Sequence, residues 1–276
     1  MQLELITSTS CKICGSSESE EILNVSDCAD TYLDYLGIDY SSINRFYQKC
    51  LNCGFIYRNI YLSEITKEEL YKRFRDVGLR NETHQEYFKR ITMLPQKESE
   101  NFEKYNFLKS FLQDKGKHMD IGGGLGVFCF GFQSFFTNWK SICVEPTEGA
   151  DEVAKENGVT SYNMYLTENS TKILGKDFDL ITANHVIEHV DKPIDFLKTL
   201  KKFIHKEGLI CLDLPSAIDI GFLDKSHDRF MFQHEVIYNN ENIEQIAIKA
   251  GLKILYNSNY LSKRGRNNIR AILQNS

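Results

Sequence analysis

The chain has 276 residues, 42% of them hydrophobic and 26% charged, with a formal net charge of −5. That is the composition of a globular protein with length for one to two domains, and without a long basic run nucleic acid is a poor first guess as a partner. No apolar stretch approaches the ~18 residues of a membrane span and the N-terminus lacks a signal-peptide pattern, so a cytoplasmic protein is expected.

The first feature along the chain is a pair of C-x-x-C turns, Cys11-Lys12-Ile13-Cys14-Gly15 and Cys50-Leu51-Asn52-Cys53-Gly54. Two intervening residues and a following glycine let each turn curl so that both sulfurs face one point, and four sulfurs satisfy tetrahedral zinc. Residues 1–61 are therefore expected to form a small zinc-binding module, with Cys11, Cys14, Cys50 and Cys53 as ligands. A redox C-x-x-C would normally occur singly beside a βαβ unit; redox chemistry or no metal are the alternatives. A closed four-sulfur site has no open position, so such a zinc would be structural. Cys129, Cys143 and Cys211 lie in apolar runs as small core residues, and Cys28 is isolated. The Asp- and Tyr-rich segment 30–35 either reaches toward a substrate or covers the module's own core.

Residues 62–114 read as a helical linker and lid. Ser63 caps 64–71, with acids in the first turns. A run over 81–93 breaks at Pro95, and 98–112 places Phe102, Tyr105, Leu108, Phe111 and Leu112 at three- and four-residue steps. Tyr87 and His84 are the polar groups of interest in the middle run, and Tyr87 is a candidate for the chemistry; simple amphipathic packing is the competing account.

Residues 115–276 alternate strands and helices. The strand Lys117-His118-Met119-Asp120-Ile121 runs straight into Gly122-Gly123-Gly124-Leu125-Gly126 and an apolar helix. Glycines serve where the backbone takes positive φ or a ligand lies against it, and the helix start presents unpaired N–H groups. A dinucleotide fingerprint would read G-x-G-x-x-G; here the spacing is G-G-G-x-G, with an acid, Asp120, ahead of it. That arrangement suits S-adenosylmethionine, whose ammonium group wants a nearby carboxylate. Strand 140–146 ends in Glu145, placed to accept from both ribose hydroxyls. A third strand, 159–163, is followed by Met164-Tyr165-Leu166, where the adenine edge would lie. Strand 178–183 leads into Asn184-His185-Val186-Ile187-Glu188-His189-Val190, a helix begins at Pro193 and runs to about 205, and a fifth strand covers 208–214. Helix 240–250 and strands 252–257 and 269–273 complete a doubly wound, mostly parallel α/β sheet of seven strands with a late antiparallel insertion.

The motif D-I-G-G-G-L-G resembles the first motif of the class I S-adenosylmethionine-dependent methyltransferases, and F-D-L-I-x-A-x-x-V-I-E-H-V-x-x-P resembles their segment after the fourth strand. With two C-x-x-C turns ahead, the chain is similar to the sugar C-methyltransferases and their relatives in polysaccharide gene clusters. The resemblance implies a Rossmann-like methyltransferase sheet and structural zinc. It also implies S-adenosylmethionine on Asp120, Gly122, Gly124 and Glu145, and a sugar or nucleotide-sugar acceptor; Gly123 and Gly126 of the same turn, Tyr165 at the adenine edge, and Asn184 and His185 after the fourth strand are further candidates for the cofactor pocket. His189 falls on an active-site histidine of that family, and Phe232-Gln233-His234-Glu235-Val236 on the segment that supplies a further one, the expected base. The family has an acid before that histidine where this chain has Gln233, and it carries a third, C-terminal domain where this chain stops; oxygen, nitrogen and carbon all stay open as the acceptor atom.

Methyl transfer to an activated carbon needs alignment and removal of a proton, and histidine, with an ordinary pKa of ~6.5, fits the second task. His234 is the first candidate and His189 the second, with Glu188 and His185 orienting them or lining the pocket. His118 and His205 are read as structural. Lys263-Arg264-Gly265-Arg266 is read as a solvated loop between two strands. The rival readings are a non-catalytic binding protein on the same fold and an NAD-dependent oxidoreductase, which the glycine spacing disfavours.

Overall fold

The computed structural model describes residues 5–74 and 76–275, so residues 1–4 of the expected zinc module lie outside it. Short strands dominate the amino-terminal part: β1 (Leu5–Thr7), β2 (Ser19–Asn24), β3 (Phe46–Cys50), β4 (Ile56–Arg58) and β5 (Ile60–Leu62), with a single helical turn, α1 (Thr31–Tyr35), between β2 and β3. Asp30 caps α1 by accepting from the Tyr32 and Leu33 amides. Strand β1 pairs antiparallel with β5.

The linker is helical, as its caps predict. Ser63 accepts from Thr66 N at the start of α2 (Glu64–Lys72), and Thr83 and Glu86 form a reciprocal capping box at α4 (His84–Thr92). The single run expected over 81–93 begins instead at α4, preceded by the separate turn α3 (Val77–Arg80), because Asn81 adopts a left-handed φ of 55° that ends α3. The run expected over 98–112 is shorter: α5 (Glu100–Leu108) starts after the Ser99 cap.

The remaining elements are β6 (Gly116–Ile121), α6 (Val127–Phe135), β7 (Trp139–Glu145), α7 (Ala150–Glu156), β8 (Thr160–Asn163), α8 (Thr171–Leu174), β9 (Phe178–Asn184), α9 (Pro193–Lys201), β10 (Ile204–Pro215), β11 (Val236–Ile237), α10 (Asn240–Ala250), β12 (Leu252–Leu261) and β13 (Asn267–Asn275). Seven strands form one sheet in the order β12-β13-β10-β9-β6-β7-β8, with β13 antiparallel to both neighbours. The seven-stranded mixed sheet with flanking helices is the expected one. Its last two strands run past the expected ends, and β10 starts early: Ile204 pairs with Phe178 across a bulge that precedes Leu209. His205 therefore lies in a strand, since α9 stops at Lys201.

Buried central strands read as continuous apolar runs, and Met119, Ile181, Ala183, Ile210 and Leu212 all lie within the core. The Met, Ile and Leu side chains among these each contribute roughly 1.5–3 kcal/mol by burial. The same core continues through Tyr238 and Ile243 to Phe55, Tyr57, Cys50 and Cys11. Strand β11, which follows the fifth sheet strand in sequence, joins the amino-terminal four-stranded sheet β11-β4-β3-β2. A second cluster on the opposite side of the sheet is aromatic, built on Tyr105, Phe128, Phe132 and Trp139.

Candidate functional site

The site forms at the carboxyl ends of β6, β7, β9 and β10, where open α/β sheets bind ligands. The chain leaves β6 through Gly122, whose φ is 66°. A Cβ there would lie 2.6 Å from Val186 Cγ2, and one on Gly123 would lie 2.6 Å from Cys143 Sγ. Side chains are thus excluded from the turn by its own surroundings. Gly124 N donates to Glu145 Oε2 at 2.8 Å, joining the turn to the tip of β7, and Gly126 is the first residue before α6. The other Glu145 oxygen accepts from Thr147 N at 3.0 Å and Thr147 Oγ1 at 2.6 Å. A carboxylate has about four lone-pair sites, so Glu145 keeps acceptor capacity for a ligand.

Beneath the turn runs a buried polar chain. Thr182 Oγ1 donates to Asp120 Oδ1 at 2.5 Å, so it accepts from His118 Nε2 at 2.8 Å. His118 Nδ1 is then left to accept from Ser141 Oγ at 2.7 Å. This is a neutral imidazole, and burial pushes its pKa down to about 3. Burial likewise pushes Asp120 up to about 7, against the opposing pull of Thr182, Lys104 and Asn184. Asn184 Nδ2 reaches Asp120 at 3.3 Å while its Oδ1 accepts from Lys104 Nζ at 3.0 Å. Lys104 also pairs with Asp213 at 3.3 Å. Asp213 further accepts from Arg270 Nε at 2.9 Å and from the Tyr260 hydroxyl. Burial would raise Asp213, but Lys104, His185 and Arg270 hold it below its ordinary value.

Above the turn opens a cleft of about 780 Å³. Its apolar lining includes Val144, Pro146, Met164, Leu166 and Val186, and Tyr165, Asn184 and His185 also face it. The far wall comes from the linker, with Lys67, Tyr71 and Phe74, and from Tyr32 of the 30–35 segment. Tyr32 also packs in a small core with Leu33 and Leu70, so that segment covers a core while one of its rings faces the cleft. Tyr32 and Phe74 stack at 5.2 Å with the Arg80 guanidinium over them. Arg264 and Arg266, on the exposed turn between β12 and β13, and Arg229 line the cleft as well.

His189 and His234 stack in this cleft with ring centroids 4.9 Å apart. His189 Nδ1 is 2.7 Å from the Gln233 carbonyl and His234 Nδ1 is 3.0 Å from the Asp228 carbonyl. A carbonyl only accepts, so each Nδ1 carries the proton and each Nε2 carries the lone pair. Burial lowers both pKa values, that of His234 to about 3 with the neighbouring His189 adding to the effect. Glu188 lies behind the rings, 2% exposed, and is absent from the cleft lining. Its burial favours the acid, but the His185 contact at 3.3 Å and the adjacent imidazoles bring it below its ordinary value. His185 itself holds a left-handed φ of 53°, a sparsely populated conformation that costs about 1–3 kcal/mol and clusters at functional sites.

The four cysteine sulfurs of the amino-terminal turns lie within 4.8 Å of one another. Cys11 and Cys53 approach to 3.5 Å, as do Cys14 and Cys50. A disulfide would be about 2.05 Å, whereas sulfurs at zinc bond lengths of ~2.3 Å stand about 3.8 Å apart around one ion. Gly15 and Gly54, both at positive φ, donate back to the Cys11 and Cys50 carbonyls. The donor set and spacing fit zinc. The cleft fits S-adenosylmethionine in the same sense: a glycine turn, a carboxylate at the tip of β7 with about one acceptor site to spare, and apolar walls.

The structure thus brings together Gly122, Glu145, Tyr165, Asn184, His185, His189 and His234 in one cleft, with Asp120 under its floor. Tyr87 is elsewhere: it packs with Phe88 and Leu125, with the Arg90 guanidinium 5.1 Å from its ring. Glu188 supports the histidines from behind rather than facing the cleft. Sequence reasoning passed over Lys67, Lys104, Asp213 and Arg270. Only Asp213 carried a signal, as an acid at the end of an apolar strand; the lysines sit on helix faces that look like any amphipathic surface.

A family model described as a methyltransferase domain matches residues 93–257. The chain belongs to this methyltransferase family. It is a class I S-adenosylmethionine-dependent methyltransferase, and solved methyltransferases share its fold. The magnesium protoporphyrin IX methyltransferase from Synechocystis PCC 6803, with bound SAH, is 13% identical, with 76% of this chain and 100% of that chain covered at a TM-score of 0.57. The plantazolicin methyltransferase in complex with a pentazolic analogue and SAH is 13% identical, covering 76% and 96% at 0.55. A methyltransferase from Clostridium acetobutylicum ATCC 824 is 13% identical, covering 69% and 97% at 0.50. Comparison with curated protein sequences gives no match. No helix among the described residues of this methyltransferase is long and apolar enough to cross a membrane.

Proposed function

We propose that this methyltransferase acts on a sugar or other small glycan-linked acceptor, nucleotide-activated forms included, in polysaccharide or natural-product biosynthesis. His234 serves as general base in this reading. The observation that carries it is the placement of the His234 ring, its Nδ1 fixed on a backbone carbonyl, in the same cleft as Gly122 and Glu145. S-adenosylmethionine, when bound, supplies a methyl carbon activated by its sulfonium. Glu145 would hold the ribose hydroxyls, Asp120 and Asn184 the amino-acid end, and Met164, Tyr165 and Leu166 the adenine. His234 Nε2 takes the acceptor proton, a step worth about 10² to 10⁴ in rate, while His189 stacks against it and Glu188 keeps the ring cluster oriented. The polar wall of Lys67, Asp191 and Arg229 suits a ligand with several hydroxyls, and the arginines suit an anionic group beside them.

In the same reading residues 1–61 form a structural zinc module on Cys11, Cys14, Cys50 and Cys53, residues 62–114 form a linker and lid, and residues 115–276 bind the cofactor. Support for the lid comes from Lys67, Tyr71 and Phe74 on the cleft wall.

The test is isothermal titration of the purified protein with S-adenosylhomocysteine and, in parallel, with NAD. Micromolar binding of the first and none of the second supports the cofactor assignment and justifies screening nucleotide sugars and polysaccharide precursors for methyl acceptance. Absence of transfer to every such compound, with transfer to another class, would overturn the acceptor assignment.

A further inference from the structure

We propose that Glu188, His189 and His234 form a second metal site, of two imidazoles and one carboxylate, for a divalent transition ion of the zinc class. One donor atom from each of the three residues lies within 4.8 Å of the others. Donors sharing a zinc at ~2.1 Å stand roughly 3.4 Å apart, so modest side-chain rotation closes the set.

Two independent features point to a ligand. Both imidazoles direct Nδ1–H at backbone carbonyls, of Gln233 and Asp228, leaving Nε2 as the free donor. Metal-ligating histidines are oriented in just this way, the second nitrogen donating to a carbonyl or carboxylate. The other feature is Glu188, 2% exposed, whose Oε2 has no hydrogen-bond partner among the described residues while Oε1 is engaged by His185. A buried unpaired carboxylate oxygen is costly unless something fills its lone pairs. An ion held by two neutral rings and this oxygen would displace no proton from the imidazoles and would keep coordination positions open toward the cleft that His189 and His234 line. Imidazole ligands select zinc, cobalt, nickel or copper over magnesium and calcium.

The site differs from the cysteine cluster in chemistry and in consequence. Its ion would occupy the Nε2 lone pair that removes the acceptor proton, so zinc in excess of the structural equivalent would inhibit methyl transfer; that inhibition rests on the proposed role of His234 as base, whereas metal binding itself does not.

The experiment titrates Co²⁺ into the full-length protein carrying one zinc per chain and reads the visible spectrum. Expected is one further equivalent with d–d bands and no thiolate-to-cobalt charge-transfer band. Glu188→Gln and His189→Ala, each with a native circular dichroism spectrum, should weaken that binding by more than about tenfold. No d–d bands in the unaltered protein, or bands undiminished in both variants, would overturn the site. Cobalt binding at Glu188, His189 and His234 with no inhibition by added Zn²⁺ would leave the site standing and overturn His234 as base.

Discussion

The Tyr47 hydroxyl donates to the His234 carbonyl at 2.6 Å, so a residue of the amino-terminal sheet holds the backbone of the candidate base 187 positions further along the chain. Arg58 works beside it, donating from Nη2 to Tyr47 Oη and to the carbonyls of Phe230 and Met231. Phe232 N donates to Asp30 and Arg58 N to the Glu235 carbonyl. The histidine loop is therefore shaped by the amino-terminal sheet as much as by the large sheet it follows. Perturbing either should be read in both.

Glu145→Ala should weaken S-adenosylhomocysteine binding by about tenfold to a hundredfold, the worth of one charge-assisted hydrogen bond of about 1.5–3 kcal/mol. Circular dichroism should show the fold retained. Unchanged affinity by calorimetry would refute the ribose assignment.

Cys50 is fully buried and continuous with the main core. Cys50→Ser should lower zinc content below one per chain and lower the thermal midpoint, because structural zinc contributes directly to folding. Metal analysis finding no zinc in the unaltered protein would end the claim of a zinc module.

Lys67 and Glu235 form a buried pair at 2.7 Å, with Glu235 the more deeply enclosed. Burial raises the Glu235 pKa, and Lys67 only partly offsets it. Removing the cation by Lys67→Met should cost about 3–5 kcal/mol, since it strands the carboxylate. Glu235→Gln should cost less, because Lys67 keeps Glu64 at 3.6 Å. Urea denaturation of both variants checks the order, and equal losses would contradict it.

His118 is held at about 3 in the fold and returns to ~6.5 when unfolded. Below pH 6.5 the unfolded chain binds a proton that the native one refuses, so this contribution to stability is complete above 6.5 and is lost as pH falls toward 3. Asp120, raised to about 7, acts in the opposite sense: its contribution is complete below the ordinary carboxylate range and is lost as pH rises through 7. A difference measurement separates the two. His118→Gln should flatten the fall in stability between pH 6.5 and 5 by up to about 1.4 kcal/mol per pH unit; an unchanged slope would place the proton elsewhere.

His234→Ala should reduce methyl transfer by about 10² to 10⁴ while leaving S-adenosylhomocysteine affinity near its original value. With His234 lowered to about 3 by burial, the activity of the unaltered enzyme should show no acid limb near pH 6.5. A limb there that vanishes in the variant would mean that the ring titrates in its ordinary range.

What was legible in the sequence was local. The C-x-x-C-G turns, the D-I-G-G-G-L-G turn and Glu145 at a strand end are each set by backbone geometry over fewer than about ten residues, and alternating strands and helices with two late strands imply the sheet that is found. Asn81 and Ser99 ended or started helices by chemistry local enough to read but weak enough to overlook. Tertiary structure alone decided which side chains face one another across long separations. It put Tyr87 in a packing cluster and Glu188 behind the rings. It placed Lys67 on Glu235 and Lys104 between Asn184 and Asp213, and it carried β11 into the amino-terminal sheet. Such pairings depend on where whole elements dock, and docking is driven by apolar burial that is blind to which polar group it delivers. The sequence by itself determined the sheet and its glycine turn; the joint between Tyr47 and His234 exists only because two sheets distant in sequence share one continuous core.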